Sequence, residues 1–255
     1  MNAKTTDPWY YDCHCHILPG VDDGARNLEE TWQLLRMEYD QGVRTILATP
    51  HFHPKRYGVH PERLEYALEQ TRELARRMDP QFQIHLWNEA YWEGGLIYHL
   101  NQNLCRTAGD RYVLIESRYD DSEETLLRMV EILQANDYNP VFAHIERYSA
   151  VRRHPQLIDT LRQRGAWIQV NGDSLMGRNG FFTAVFCRTL LRQEKIDLIG
   201  TDCHRTDFRP PRFQDCARYL QRHTRSGYYD LLMREHPQQL LEKEQQYDAD
   251  KQTSL

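Results

Sequence analysis

Two histidines one residue apart, in His14-Cys15-His16, close an apolar run that starts at Tyr10. Side chains alternate across a strand, so this spacing aims both imidazoles to one side and turns Cys13 and Cys15 away from them. Two imidazoles on one face are half of a metal site. The loop that follows adds Asp23, and other apolar runs lead into His51, Glu89, Glu116, His144 and the pair Asp202 and His204. Each has an ordinary reading when taken singly: Glu116 as a surface carboxylate, His144 as a satisfied core histidine, Asp202 as a helix cap. Taken together, five imidazoles and four carboxylates exceed the four to six ligands that one zinc or manganese ion accepts, and they suit two or three ions. Nitrogen and oxygen donors without thiolates point to manganese, iron or zinc. Arg147 and Arg209 follow His144 and His204 closely, and a guanidinium fork matches phosphate oxygens in a way that an ammonium does not. Their plainer reading is a surface salt bridge.

Residues so far apart in sequence meet only if the runs carrying them are parallel strands whose C-terminal ends share one mouth. Seven short β-rich runs alternate with segments of helical period: Tyr10 to Cys15, Val43 to Ala48, Ile84 to Trp87, Tyr112 to Ile115, Pro140 to Ala143, Ala166 to Val170 and Asp197 to Gly200. Asn27 and Glu30 form a capping box ahead of a helix with Leu28, Trp32, Leu35 and Tyr39 on its inner stripe, and Gly42 ends it. Pro61 to Met78 reads as a helix burying Leu64, Leu68 and Thr71, and another begins near Ser122 and buries Leu126, Met129, Val130 and Leu133. Further helices open at His154-Pro155 and span Phe181 to Gln193, and a last helical region ends near Met233. This places one catalytic barrel over residues 1–233. Residues 234–255 are polar, rich in Gln, Glu, Lys and Asp, and are expected to fray.

The 255 residues suffice for one α/β barrel. A net charge of -5 argues against a nucleic-acid partner, and no apolar run approaches a membrane span. With no leader pattern at the N-terminus, a cytoplasmic protein is expected. Six scattered cysteines are read as reduced, with Cys13, Cys15 and Cys203 beside candidate ligands as small apolar filler or, alternatively, in ligand-like roles.

His14-Cys15-His16 with Gly20-Val21-Asp22-Asp23-Gly24, Ala48-Thr49-Pro50-His51, Ala143-His144-Ile145-Glu146-Arg147-Tyr148, Gln169-Val170-Asn171 and Thr201-Asp202-Cys203-His204 with Arg209-Pro210-Pro211 resembles the PHP (polymerase and histidinol phosphatase) superfamily. Within it, the stretches resemble the bacterial manganese-dependent protein-tyrosine phosphatases of capsule and exopolysaccharide operons. The resemblance covers about Tyr11 to Arg212. It implies an α/β fold, a distorted (β/α)7 barrel with a trinuclear metal cluster at the C-terminal ends of the strands. It implies His14, His16, Asp23, His51, Glu89, Glu116, His144, Asp202 and His204 as ligands, with Arg147 and Arg209 binding phosphate. One departure is Asn88, where relatives usually carry a glycine before the glutamate.

The expected reaction is hydrolysis of phosphotyrosine by water that two or three divalent ions, manganese first among them, have acidified. A phenolate, with a parent pKa of about 10, leaves readily without a strong general acid. His53 is read as a solvated histidine, with proton donation as the alternative. Tyr57, Tyr91, Trp92, Tyr148 and Phe208 are candidates to pack on the substrate ring, or to line the barrel for structural reasons. The resemblance implies the tyrosine-rich tail of a bacterial autokinase as partner. The alternatives are a small-molecule phosphatase of the histidinol-phosphate type, a nuclease, a metal-binding module and a cysteine phosphatase. For the last, Cys105, Cys203 and Cys216 each precede an arginine by six positions, but none has the glycine-rich amide cradle such a loop needs.

Overall fold

The computed structural model describes residues 9–57, 60–109 and 111–241. Its strands are β1 (Tyr10–Cys15), β2 (Val43–Ala48), β3 (His51–Phe52), β4 (Gln83–Leu86), β5 (Glu89–Tyr91), β6 (Tyr112–Glu116), β7 (Asn139–Phe142), β8 (Trp167–Asn171) and β9 (Leu198–Gly200). Every ladder is parallel, in the orders β1-β2-β4 and β3-β5-β6-β7-β8-β9. The expected runs are all strands. The two additions, β3 and β5, follow breaks at Thr49-Pro50 and Trp87-Asn88, and Pro50 can donate nothing to a ladder. Asn88 is buried at this break: its side-chain amide donates to the Pro50 carbonyl (2.9 Å) and its oxygen accepts from the Arg106 amide (2.8 Å). The departure from glycine is therefore filled by a side chain that ties two broken strands together.

The sheet curls until its outer strands meet. The Asp202 amide donates to the His14 carbonyl (2.7 Å) and the His16 amide to the Cys203 carbonyl (2.8 Å), so the end of β1 and the segment after β9 form a seam. Approach here is close enough that a Cβ on Gly200 would lie 2.4 Å from that of His14. Inside the curl pack Tyr11, Leu47, Leu114, Val141 and Leu198, and between the sheet and its helices pack Ile46, Ile115, Phe142 and Val170 with Leu34, Leu68, Leu126 and Leu190. The pairing of β1 with β2 slips between Asp12 and Cys15. The slip separates the two cysteines: Cys13 packs with the inner group and only Cys15 turns to the helix layer, which corrects the simple alternation expected for this strand.

The helices match the sequence pattern with local differences. Asn27 caps the helix Leu28–Asp40 through the Glu30 amide, and Gly42 follows it at φ 90. Its inner face is Thr31, Leu34, Leu35 and Glu38, whereas Leu28 is exposed. The Glu30 carboxylate does not reach back to the cap; it accepts from the Arg26 amide and guanidinium, because Arg26 supplies a cation one residue earlier. Pro61–Met78 and Glu123–Ala135 bury the expected residues, and Ser122 caps the latter. The chain expected to fray from Arg234 is helical to residue 241, with Leu240 and Leu241 closing the inner cluster from below. Two leucines in a polar stretch are too few for a periodic signal, but they are enough to seal a barrel floor. Residues 242–255 of the expected tail lie outside the described residues.

Candidate active site

All nine candidate ligands and both arginines meet at the C-terminal ends of the strands. His14 and His16 form the floor, fully buried, with their Nε2 atoms 3.2 Å apart. Glu89, at the start of β5, brings Oε2 to 3.3 Å from each of them and to 3.1 Å from His51 Nδ1, while its Oε1 lies 2.7 Å from His144 Nε2. Asp202 Oδ1 is 3.7 Å from His14 Nε2 and 3.5 Å from His16 Nε2. Glu116 approaches His51 and His144 at 3.8 and 3.4 Å, and Asp23 approaches His51 and His204 at 3.4 and 3.7 Å. Above them opens a cavity of about 280 Å³ lined by Asp23, His51, Glu116, His144, His204 and both arginines, among others.

The electrostatics separate these groups. Burial would lower the His16 pKa, but Asp22 and Glu89 outweigh it and hold the imidazole well above the usual histidine range. Burial likewise opposes ionisation of Glu89, yet His14 and His51 pull its carboxyl well below normal, and Arg147 and His14 do the same for Asp202. Burial and the charge of Glu89 raise Glu116 to about 6. Burial and Arg147 lower His144 to about 4, and burial and His16 lower His204 to about 2.

These residues fit divalent cations. Glu89 Oε2 faces three imidazole nitrogens yet has no hydrogen-bond partner and is sealed from solvent, and His144 Nδ1 is equally orphaned. Three overlapping donor sets arise: His14, His16 and Glu89; His51, Glu89 and Glu116; and His16, Asp23, His51 and His204. Nitrogen and carboxylate oxygen without sulfur is the donor chemistry of manganese, iron or zinc.

Several supporting residues escaped the sequence reading. Asp22 accepts from His16 Nδ1 (2.8 Å), from the Gly24 amide and from the His51 amide, and so orients two candidate ligands. Gln169 contacts His14 Nδ1 at 3.2 Å and accepts from the His144 amide, while Asn171 donates to Asp202 (2.9 Å). The signal was present: Asp22, Gln169 and Asn171 belong to the stretches that carry the family resemblance, but spacing alone did not assign them roles. Such partners of metal ligands fix tautomer and ring orientation. Asp22→Ala is expected to weaken metal affinity about 10- to 100-fold with the fold intact, read by metal titration alongside circular dichroism.

Backbone strain collects at the same place. His144, Asp202 and Arg209 adopt φ of 31, 53 and 54, a conformation that costs a non-glycine residue about 1–3 kcal/mol. The seam bonds, Gln169 and the Arg209 carbonyl, which accepts from the His204 amide (3.1 Å), hold it in place.

Among the aromatic candidates, Tyr57 and Tyr91 line the cavity and Phe208 stands at its edge, half exposed, 6.5 Å from the His204 ring. Tyr148 is instead fully buried, its hydroxyl accepting from the Ser117 amide, and Trp92 packs against the core. Tyr119, which the sequence reading passed over, lines the cavity and donates to Glu116 (2.7 Å). His53 also lines it, stacked on Tyr91 at 4.7 Å. The cysteines do not: all six are buried, and burial pushes the Cys105 and Cys216 thiols up, Cys216 to about 12.

A curled parallel sheet with clustered imidazoles, carboxylates and overhanging guanidinium groups at its strand ends is the make-up of a metal-assisted phosphohydrolase. The family model for capsular polysaccharide synthesis, CpsB/CapC, matches residues 10–242, and the chain belongs to that family. It is 30% identical over 212 residues to the tyrosine-protein phosphatase YwqE of Bacillus subtilis (strain 168), covering 83% of this chain and 84% of the relative. It is also 30% identical over 209 residues to the tyrosine-protein phosphatase CpsB of Streptococcus pneumoniae, covering 80% and 86%. A chain from the crystal structures of these two proteins, described as unique metal-dependent tyrosine phosphatases, superposes with a TM-score of 0.80 at 29% identity over 91% of this chain and 94% of that one. Histidinol phosphate phosphatase from Lactococcus lactis shares the fold, with a TM-score of 0.56 at 16% identity over 84% and 93%.

Proposed function

We propose that this chain is a metal-dependent protein-tyrosine phosphatase. One observation carries the reading: nine side chains with nitrogen and oxygen donors converge beneath Arg147 and Arg209, in a chain whose relatives are named tyrosine phosphatases. His14, His16, Asp23, His51, Glu89, Glu116, His144, Asp202 and His204 would hold two or three divalent ions, with manganese as the native metal. Bound there, such ions acidify water and neutralise phosphate charge. Counting β2 with β3, and β4 with β5, as broken single strands makes the fold a distorted (β/α)7 barrel.

The protein's own groups do the rest. Arg147 and Arg209 grip the phosphoryl oxygens and spread the charge that develops on them. Asp202 aims both guanidinium groups, with Oδ2 accepting from Arg147 Nη2 (2.5 Å) and Arg209 Nη1 (2.7 Å). Tyr57 and Tyr91 line the space for a phenyl ring and Phe208 stands at its edge, which favours an aryl ester over the alkyl phosphate of a histidinol-phosphate-type enzyme. We assign as physiological partner the phosphotyrosine-bearing tail of a tyrosine autokinase that regulates polysaccharide synthesis, and we assign this chain to the cytoplasm. Among the described residues, no helix is long and apolar enough to cross a membrane.

Hydrolysis of a phosphotyrosine peptide by chelator-stripped, manganese-refilled and thiol-alkylated protein tests the reading. Activity lost on stripping, restored by manganese and unaffected by alkylation supports it; activity that survives stripping and dies on alkylation overturns it in favour of a cysteine nucleophile. Binding also has a pH sign. Ligation removes the proton from His16, whose pKa is held well above the usual histidine range, and from Glu116, pushed up to about 6, so affinity falls as pH drops, first through the His16 titration and again toward and below 6. Calorimetry of manganese binding in buffers of different ionisation enthalpy should show proton release, greater below pH 6 than well above it.

A further inference from the structure

Behind the site, on the side of the sheet facing the helices, four buried side chains converge that the mechanism does not use. They are Asp12 and Cys15 of β1, Cys203 just after β9, and Glu38 of the helix Leu28–Asp40. Each offers one donor atom, and all four atoms lie within 4.8 Å of one another. The two sulfurs are 2.9 Å apart. Asp12 is well supplied, accepting from the His14 amide (3.2 Å), the Thr201 amide (2.9 Å) and the Thr201 hydroxyl (2.5 Å). Glu38 is not: it is fully buried, no backbone amide reaches its carboxylate, and what it faces is the Asp12 carboxyl group. A buried carboxyl group in that position demands either a proton or a cation.

We propose that Asp12, Cys15, Glu38 and Cys203 bind one structural divalent cation of the zinc type, separate from the cluster at the mouth. Two sulfurs and two carboxylate oxygens form a closed four-donor set, and soft sulfur distinguishes it from the nitrogen and oxygen donors above. Binding exchanges the two thiol protons, and any proton on the carboxyl pair, for the metal. Position gives the site its use. β1 and β9 share no regular ladder; an isolated bridge between Cys15 and Cys203 and the bonds from Thr201 to Asp12 join them here. A cation would staple that seam and tie the helix Leu28–Asp40 to both sides of it. It would also steady two pairs of ligands at once, since Cys15 lies between His14 and His16 and Cys203 between Asp202 and His204.

Protein produced in cobalt-supplemented minimal medium separates the two centres, because only the rear site offers thiolates. The wild type is expected to show near-ultraviolet thiolate-to-cobalt charge-transfer absorption. Glu38→Gln is expected to lose most of that absorption and one metal ion per chain while still dephosphorylating a phosphotyrosine peptide. A wild-type protein with its mouth cluster filled by cobalt and no thiolate band overturns the proposal. In that case Glu38 is neutral and shares its proton with Asp12; a Glu38→Gln protein with unchanged band and metal count also overturns it, because Glu38 is then outside the donor set.

Discussion

Asp202→Asn is expected to lower kcat/KM for a phosphotyrosine peptide by about a thousandfold or more, because one residue serves both halves of the site. Oδ1 faces His14 and His16 on the side where cations would sit, and Oδ2 receives Arg147, Arg209 and Asn171. Asparagine keeps the shape but presents an amide nitrogen to one of these groups. The consequences are separable: metal content measured by mass spectrometry should fall, and so should affinity for inorganic phosphate as an inhibitor. Near-wild-type turnover with a full metal complement would remove Asp202 from the site we describe.

Arg147→Ala is the second large effect, an expected loss of about 100- to 1000-fold in kcat/KM with metal content unchanged. Arg147 sits over the cluster with its Nη2 on Asp202 and its Nη1 3.3 Å from the Tyr119 hydroxyl, and Asp202 and Tyr119 outweigh burial to raise its pKa further, so it is always a cation. The role proposed for it is on the phosphoryl group and not on the ions, which is why the metal count should not move. Arg147→Lys should recover only part of the activity, since it restores the charge without the two-pronged geometry. Full recovery by lysine would mean that charge alone matters at this position.

A good share of this was legible from the sequence, for local reasons. Strands buried on both faces leave short continuous apolar runs, and helices buried on one face leave a period of 3.6, so the strand runs and the buried residues of Pro61–Met78 and Glu123–Ala135 appear directly in the chain. The nine candidate ligands were legible because strand ends in a parallel barrel share a mouth, so one type of residue after each run is enough to suggest a common site. The inner stripe of Leu28–Asp40 was misread because Thr31 and Glu38 are polar, and their burial follows from partners elsewhere: Thr31 donates to the Ile17 carbonyl.

The tertiary structure alone decided what depends on contacts across long separations. It turned Asp22 rather than Asp23 toward His16 Nδ1, slipped β1 so that Cys13 and Cys15 part company, and sealed the floor of the barrel with Leu240 and Leu241. It also brought Glu38 to Asp12, Cys15 and Cys203. No periodicity records such encounters. The sequence by itself determined the types of side chain available and the strand ends that carry them. Which imidazole faces which carboxylate, and at what distance, is set by the curl of the sheet, because only closure brings residues 14 and 202 into contact.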